Sequence, residues 1–149
     1  MRLLIAIFIA ATSLFAGLQV NAYFPKTVLP DQFGKEQRIS ETDKIILISF
    51  EKDVSVAIND YLKTKPKDFV YRHRVKYISD ISPMPTIITK MFALPKMRDY
   101  KYPVMLIYDE AGAKYDKKEG MVTVYHLNNG ILKSVDFIAP NALPQLFGE

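Results

Sequence analysis

Residues 76–112 read KYISDISPMPTIITKMFALPKMRDYKYPVMLIYDEAG, and the fold turns on how this stretch divides. It parses as a strand, a turn, an amphipathic helix, a proline-led loop and a second strand. Pro83 and Pro85 fall around the first helical turn, where a missing N–H leaves no intrahelical bond unmade. Met84, Ile87, Ile88, Met91, Phe92 and Met97 recur at near-helical spacing, which predicts one broad apolar face that fills the core. Pro95 is expected to end or kink this helix, because its ring crowds the preceding turn. Tyr102-Pro103 then leads into VMLIYD, a buried strand closed by Glu110-Ala111-Gly112. The stretch speaks to fold and contains no catalytic motif.

Upstream, Phe69–Ile78 (FVYRHRVKYI) alternates. Tyr71, His73, Val75 and Tyr77 point one way and Arg72, Arg74 and Lys76 the other, the pattern of an exposed or edge strand. Lys44–Phe50 (KIILISF) is continuously apolar from Ile45 to Ile48, as in a strand buried on both faces. A polar loop follows, with Asp53 as the expected N-cap of a helix. That helix carries Val54, Ala57, Ile58, Tyr61 and Leu62 on one face and ends near Lys63. Before it, Asp31-Gln32-Phe33-Gly34 is a turn signal between Val28-Leu29 and Arg38-Ile39 and predicts a small hairpin.

Downstream, Met121–Leu127 and Ile131–Ile138 read as strands joined at Asn128-Asn129-Gly130, a turn that needs positive φ. Pro140 opens a short helix to about Phe147, anchored by Leu143, Leu146 and Phe147. There is no internal repeat. A βαβ unit followed by a ββα unit implies a small α/β domain with a mixed sheet flanked by helices, preceded by an N-terminal hairpin extension.

Residues 1–22 read as an export signal. Arg2 is the positive end, Leu3–Leu18 is mostly apolar, and Val20-Asn21-Ala22 fits a cleavage site. The run is short for a permanent span, so residues 23–149 are expected as one soluble periplasmic domain, with an uncleaved N-terminal anchor as the alternative. The sequence holds no cysteine, which removes thiol redox chemistry, thiolate metal sites and a cysteine nucleophile. Its formal charge of +4 drops by one with Arg2 and is weak evidence for an anionic partner.

These residues resemble the thioredoxin-like superfamily, in particular an exported branch (TlpA/peroxiredoxin-like or YtfJ-like) lacking the redox cysteines. VLPDQFGKEQRI looks like the opening hairpin of such proteins, and KIILISF with its loop and helix like their first core strand and active-site helix. YKYPVMLIYDEAG looks like the segment where a cis-proline introduces the third core strand, with Tyr102-Pro103 preferred over Met84-Pro85. The resemblance covers most of residues 28–147. It implies a sheet with the Lys44–Phe50 strand in the centre, the Phe69–Ile78 strand beside it and the final hairpin on its other side. It also places the two redox positions near Ser55 and Ile58, neither of which can carry electrons through a disulfide. The family's peptide groove lies between the loop after the first core strand and the cis-proline. Carried onto this chain, it comprises Lys52, Asp53, Ser55, Tyr102 and Pro103.

Other chemistry finds little support. His73 and His126 are the only histidines and read as packed structural residues, so Ser55 has no evident base. Met84, Met91 and Met97 read as core filling rather than a copper(I) site, and no metal ligand set is expected. The basic face Arg72, Arg74 and Lys76 fits an anionic lipid or acidic partner; export argues against nucleic acid. The leading reading is a non-catalytic, cysteine-free periplasmic accessory factor that binds an envelope protein or extended peptide, with no cofactor. One alternative is an oxidoreductase-type protein with a non-classical flavin (FAD/FMN dehydrogenase-like), although no G-x-G-x-x-G follows a strand. Another is a lipid-associated structural protein of the envelope surface.

Overall fold

A computed structural model describes residues 17–149. The expected export signal falls on residues 1–22, of which 1–16 lie outside the described residues. Beyond them the chain is already tied down. The Leu18 amide donates to Asp116 Oδ2 at 3.1 Å, and the Asn21 amide to the Leu132 carbonyl at 2.7 Å. Among the described residues no helix is long and apolar enough to cross a membrane.

The hairpin forms as expected: β1 (Val28–Pro30) pairs antiparallel with β2 (Glu36–Arg38). Gly34 takes φ 76°, a region in which side-chain-bearing residues are strained. Then come β3 (Ile45–Ser49), α1 (Lys52–Lys63), α2 (Phe69–Arg72) and β4 (Val75–Asp80). A helical segment follows without a break: α3 (Thr86–Ile88), a π turn (Thr89–Ala93) and α4 (Leu94–Met97). β5 (Met105–Ile107), β6 (Val122–Asn128), β7 (Ile131–Ile138) and α5 (Leu143–Leu146) complete the chain.

The main sheet has five strands in the order β5-β4-β3-β6-β7. β3, β4 and β5 run parallel, whereas β6 is antiparallel to β3 and β7 to β6. β3 is central, as its sequence requires. Leu47 enters the core under α1, α2 and α5, while Ile46 and Ile48 enter a second core under the hairpin, with Phe24 and Tyr115. The β6–β7 turn uses Asn129 at φ 49° and Gly130 at φ 80°, the doubly positive geometry of a tight hairpin.

Three expectations are corrected. Phe69–Ile78 is not one alternating strand. Phe69 and Val70 are buried together on the single turn of α2, Arg74 turns the chain at φ 54°, and only Val75–Asp80 is strand. That strand lies inside the sheet between β3 and β5, so it is no edge. The second correction concerns the helix after Pro85. Of the two expected outcomes at Pro95, an end or a kink, the helix does not end there: it continues to Met97, with a π turn (Thr89–Ala93) just upstream of the proline. Its apolar face does not fill the core either. Ile87, Met91 and Phe92 are 63%, 61% and 63% exposed, and of the six apolar residues only Met97 is buried. Third, α1 begins after Glu51, not at Asp53.

Gln32 is the least conspicuous structural residue in the sequence. Its side chain is buried, and Nε2 donates to the carbonyls of Met97 and Tyr102 at 3.2 and 2.9 Å. Its Oε1 accepts from the Val104 amide at 2.9 Å. One hairpin glutamine thus satisfies three backbone groups of the loop entering β5. Gln32→Leu should lower the unfolding free energy by about 3 kcal/mol, since buried polar groups left without partners are costly. Urea denaturation measures this, and a loss below about 1 kcal/mol would show that the loop finds other partners.

Candidate functional site

A cleft of about 490 Å³ opens at the end of β3 and β4, between the start of α1 and the α3–α4 segment. This is the end of a parallel sheet at which open α/β folds bind ligands, and the size suits a small ligand or a few side chains. Phe50, Val56, Met84, Ile88 and Phe92 supply apolar walls, with Glu51, Lys52, Asp80 and Lys96 at the rim or lining.

The floor is a hydroxyl cluster. Ser49 and Ser79 sit opposite each other in register at the ends of β3 and β4. Ser55, on the first turn of α1, lies 2.7 Å from Ser49 Oγ and 3.3 Å from Ser79 Oγ, oxygen to oxygen. The Tyr77 hydroxyl lies 3.1 Å from Ser49 Oγ. Burial raises the Tyr77 pKa, and the neighbouring Ser49, Ser55, Ser79 and Asn59 offset only part of that rise. Tyr77 therefore stays a neutral phenol at ordinary pH. Deeper along α1, the Tyr102 hydroxyl donates to Asn59 Oδ1 at 2.7 Å, and its pKa is also raised, first by burial and then by the charges of Tyr100, Tyr77 and Asp60.

This arrangement does not activate Ser55. Its partners are hydroxyls, none of which takes a proton at neutral pH, so it lacks the base a serine nucleophile needs. The histidines are elsewhere. His73 ends α2 and packs its ring 4.3 Å from Phe69 and 5.3 Å from Phe147, centroid to centroid. His126 Nε2 lies 2.9 Å from Asp136 Oδ2 across the β6–β7 pair. Ile58, at the other redox position implied by resemblance, is wholly buried. Among the described residues no three His, Cys, Asp or Glu side chains gather as metal ligands.

The five residues assigned to one groove are not brought together. Lys52 and Ser55 line the cleft, and Asp53 is exposed on the first turn of α1. Pro103 lies at the opposite end of the sheet, because it precedes β5 and β5 runs parallel to β3 through β4. There it borders a shallow cleft with Ser40, Thr42, Arg74 and Lys76. Tyr102 is buried against α1. No described peptide bond is cis, so Tyr102–Pro103 is trans. The strand antiparallel to β3 is β6, and Gly120-Met121, not a proline, precedes it. The Gly120 amide donates to Glu51 Oε2 at 2.6 Å, which ties that loop to the start of α1. Arg72, Arg74 and Lys76 do not share one face: Arg72 pairs with Asp68 at 3.1 Å within α2, while Arg74 and Lys76 border the Pro103 cleft. The floor was not legible in the sequence, because Ser49 and Ser79 become neighbours only through the parallel register of β3 and β4.

No protein-family model matches the sequence, and no curated protein matches it. Solved structures do. The thioredoxin domain of a thiol-disulfide oxidoreductase from Bacteroides vulgatus aligns over 88% of this chain and 97% of its own, at 11% identity and TM-score 0.57. A protein assigned as the thiol:disulfide interchange protein DsbE from Chlorobium tepidum aligns over 88% and 94%, at 14% identity and TM-score 0.61. The peroxidoxin BcpB from Mycobacterium tuberculosis aligns over 84% and 90%, at 14% identity and TM-score 0.55. At such identities the likeness is one of fold: this chain has the thioredoxin-like fold and no cysteine.

The phenols give a test of this packing. Burial is the first cause of raised pKa values at Tyr61, Tyr77, Tyr100, Tyr102, Tyr108 and Tyr125, with Tyr61 pushed up to about 12. Above the ordinary value of 10.0 the unfolded chain loses protons that the folded chain keeps, so stability should fall as pH rises from about 10 to 12. Phenolate absorbance of the nine tyrosines should accordingly develop over a range that extends well above the ordinary value. All nine titrating together in still-folded protein would contradict the burial described.

Proposed function

We propose that this thioredoxin-fold chain is an exported, non-catalytic binding protein that holds an extended segment of an envelope protein in the cleft at the end of β3. The observation that carries the reading is the pairing of that cleft with an outward apolar helix face. Ile87, Ile88, Met91 and Phe92 stand exposed on α3 and the π turn, and two of them, Ile88 and Phe92, line the cleft wall. Large apolar side chains held in water beside a concave site mark a binding surface more often than a free one.

The occupant's chemistry follows from the lining. Apolar walls accept side chains, and Ser55, the partly exposed member of the hydroxyl cluster, offers its hydroxyl to a passing backbone. The π turn supports the same assignment, since such turns are frequent at functional sites. Electron transfer through a disulfide is outside this chain's chemistry, for it contains no sulfur but methionine. Arg2, the apolar run Leu3–Leu18 and Val20-Asn21-Ala22 support export and hence an envelope partner.

A random-peptide display selection on the purified protein, followed by fluorescence anisotropy, tests the site. Apolar-rich extended peptides should bind saturably, and Phe92→Asp should weaken them by at least about tenfold, the loss expected from removing an aromatic anchor. Phe92 is exposed, so the unfolding midpoint should not move. Failure of any peptide to bind, or equal binding by the variant, would overturn the proposal.

A further inference from the structure

On the other side of Tyr100 from the apolar cleft lies a second one, of about 310 Å³, between the end of α1 and the loop after α4. The charged residues of its lining are mostly cationic: Lys63, Lys65, Lys67, Lys96 and Lys101 against a single carboxylate, Asp99. Two of these lysines have local employment. Lys63 lies 3.8 Å from Asp60 and stands over the Tyr100 ring, and Lys65 pairs with Glu149. Lys67, Lys96 and Lys101 have no carboxylate within 4.0 Å among the described residues.

Three lysines without a carboxylate partner in the lining of one concavity, against one acidic residue, leave it a net positive charge, and a cleft with an excess of one sign concentrates counter-ions from solution. The back wall is aromatic. Tyr100 and Tyr102 stack at 5.3 Å between centroids, and Phe69 is buried beside them. The volume equals the share of about ten waters in the liquid, which fits a compact ester and not a folded chain. Lysines serve phosphate as mobile point charges and need no fixed fork geometry. We infer that this cleft binds a phosphate group, either on a small ester or on a lipid headgroup, with Lys67, Lys96 and Lys101 as its counter-charges and the Tyr100–Tyr102 stack as its wall.

The inference stands independently of the peptide site, so its test uses residues that line only this cleft. Two probes separate the sources: glycerol 3-phosphate followed by amide NMR, and sedimentation with vesicles of phosphatidylglycerol against phosphatidylcholine. The expected result is saturable binding, localised to the amides around Tyr100 and Lys101, that weakens as salt rises. Lys67→Gln with Lys101→Gln should weaken it about tenfold or more, while Arg72→Gln with Arg74→Gln should leave it unchanged. Both altered lysines are exposed, and an unchanged unfolding midpoint checks the fold. Binding of the soluble ester assigns a free phosphate compound; binding of the anionic vesicles alone, with the same lysine dependence, assigns a headgroup. No binding of either probe, or binding that ignores Lys67 and Lys101, overturns the inference.

Discussion

Everything in this domain is arranged around β3, which is paired on both edges and covered on both faces. β4 joins it in parallel and β6 in antiparallel, and Ile46, Leu47 and Ile48 have no exposed surface at all. A strand in that position has its backbone groups satisfied laterally, so its side chains must be apolar in both directions. The hairpin β1–β2 seals one face, and α1, α2 and α5 seal the other.

That arrangement dictates where chemistry can happen. Because β3, β4 and β5 all run the same way, their C-terminal ends open on one rim, and the loop into α1 sits there. Ser55, at one of the two redox positions that the resemblance implies, lies at that rim. It belongs to a cluster of serine and tyrosine hydroxyls, a set that can donate and accept hydrogen bonds but cannot cycle electrons. Beside it lies a cleft with an apolar wall turned toward solvent.

Much of the framework was readable from residue patterns. The run Ile45–Ile48 announced the central strand, and Asn129-Gly130 the final hairpin, because each demand is local: burial on two faces, or positive φ in a turn. The errors share a physical cause. Alternation in Phe69–Ile78 mimicked a strand because one helical turn with two buried neighbours, then a left-handed arginine, happens to space apolar and basic residues by two. The periodic face from Met84 to Met97 predicts core and yet is exposed, because periodicity reports that a helix has an apolar side, not what lies against that side. Pro103 falls away from Ser55 because a motif's residues do not encode which strand a proline precedes; β5 joins the edge of the sheet and β6 joins its centre.

By itself the sequence determined the order of elements, the doubly buried strand and the exclusion of thiol chemistry, since these rest on residue type and near-neighbour spacing. Only the tertiary structure decided which distant residues share a surface. It gathered Ser49, Ser55 and Ser79 into one floor, separated Pro103 from Ser55, and drew lysines from α1, α4 and two loops around one tyrosine stack. The reason is that strand order and direction are set by packing summed over the whole chain, and no local window contains that sum.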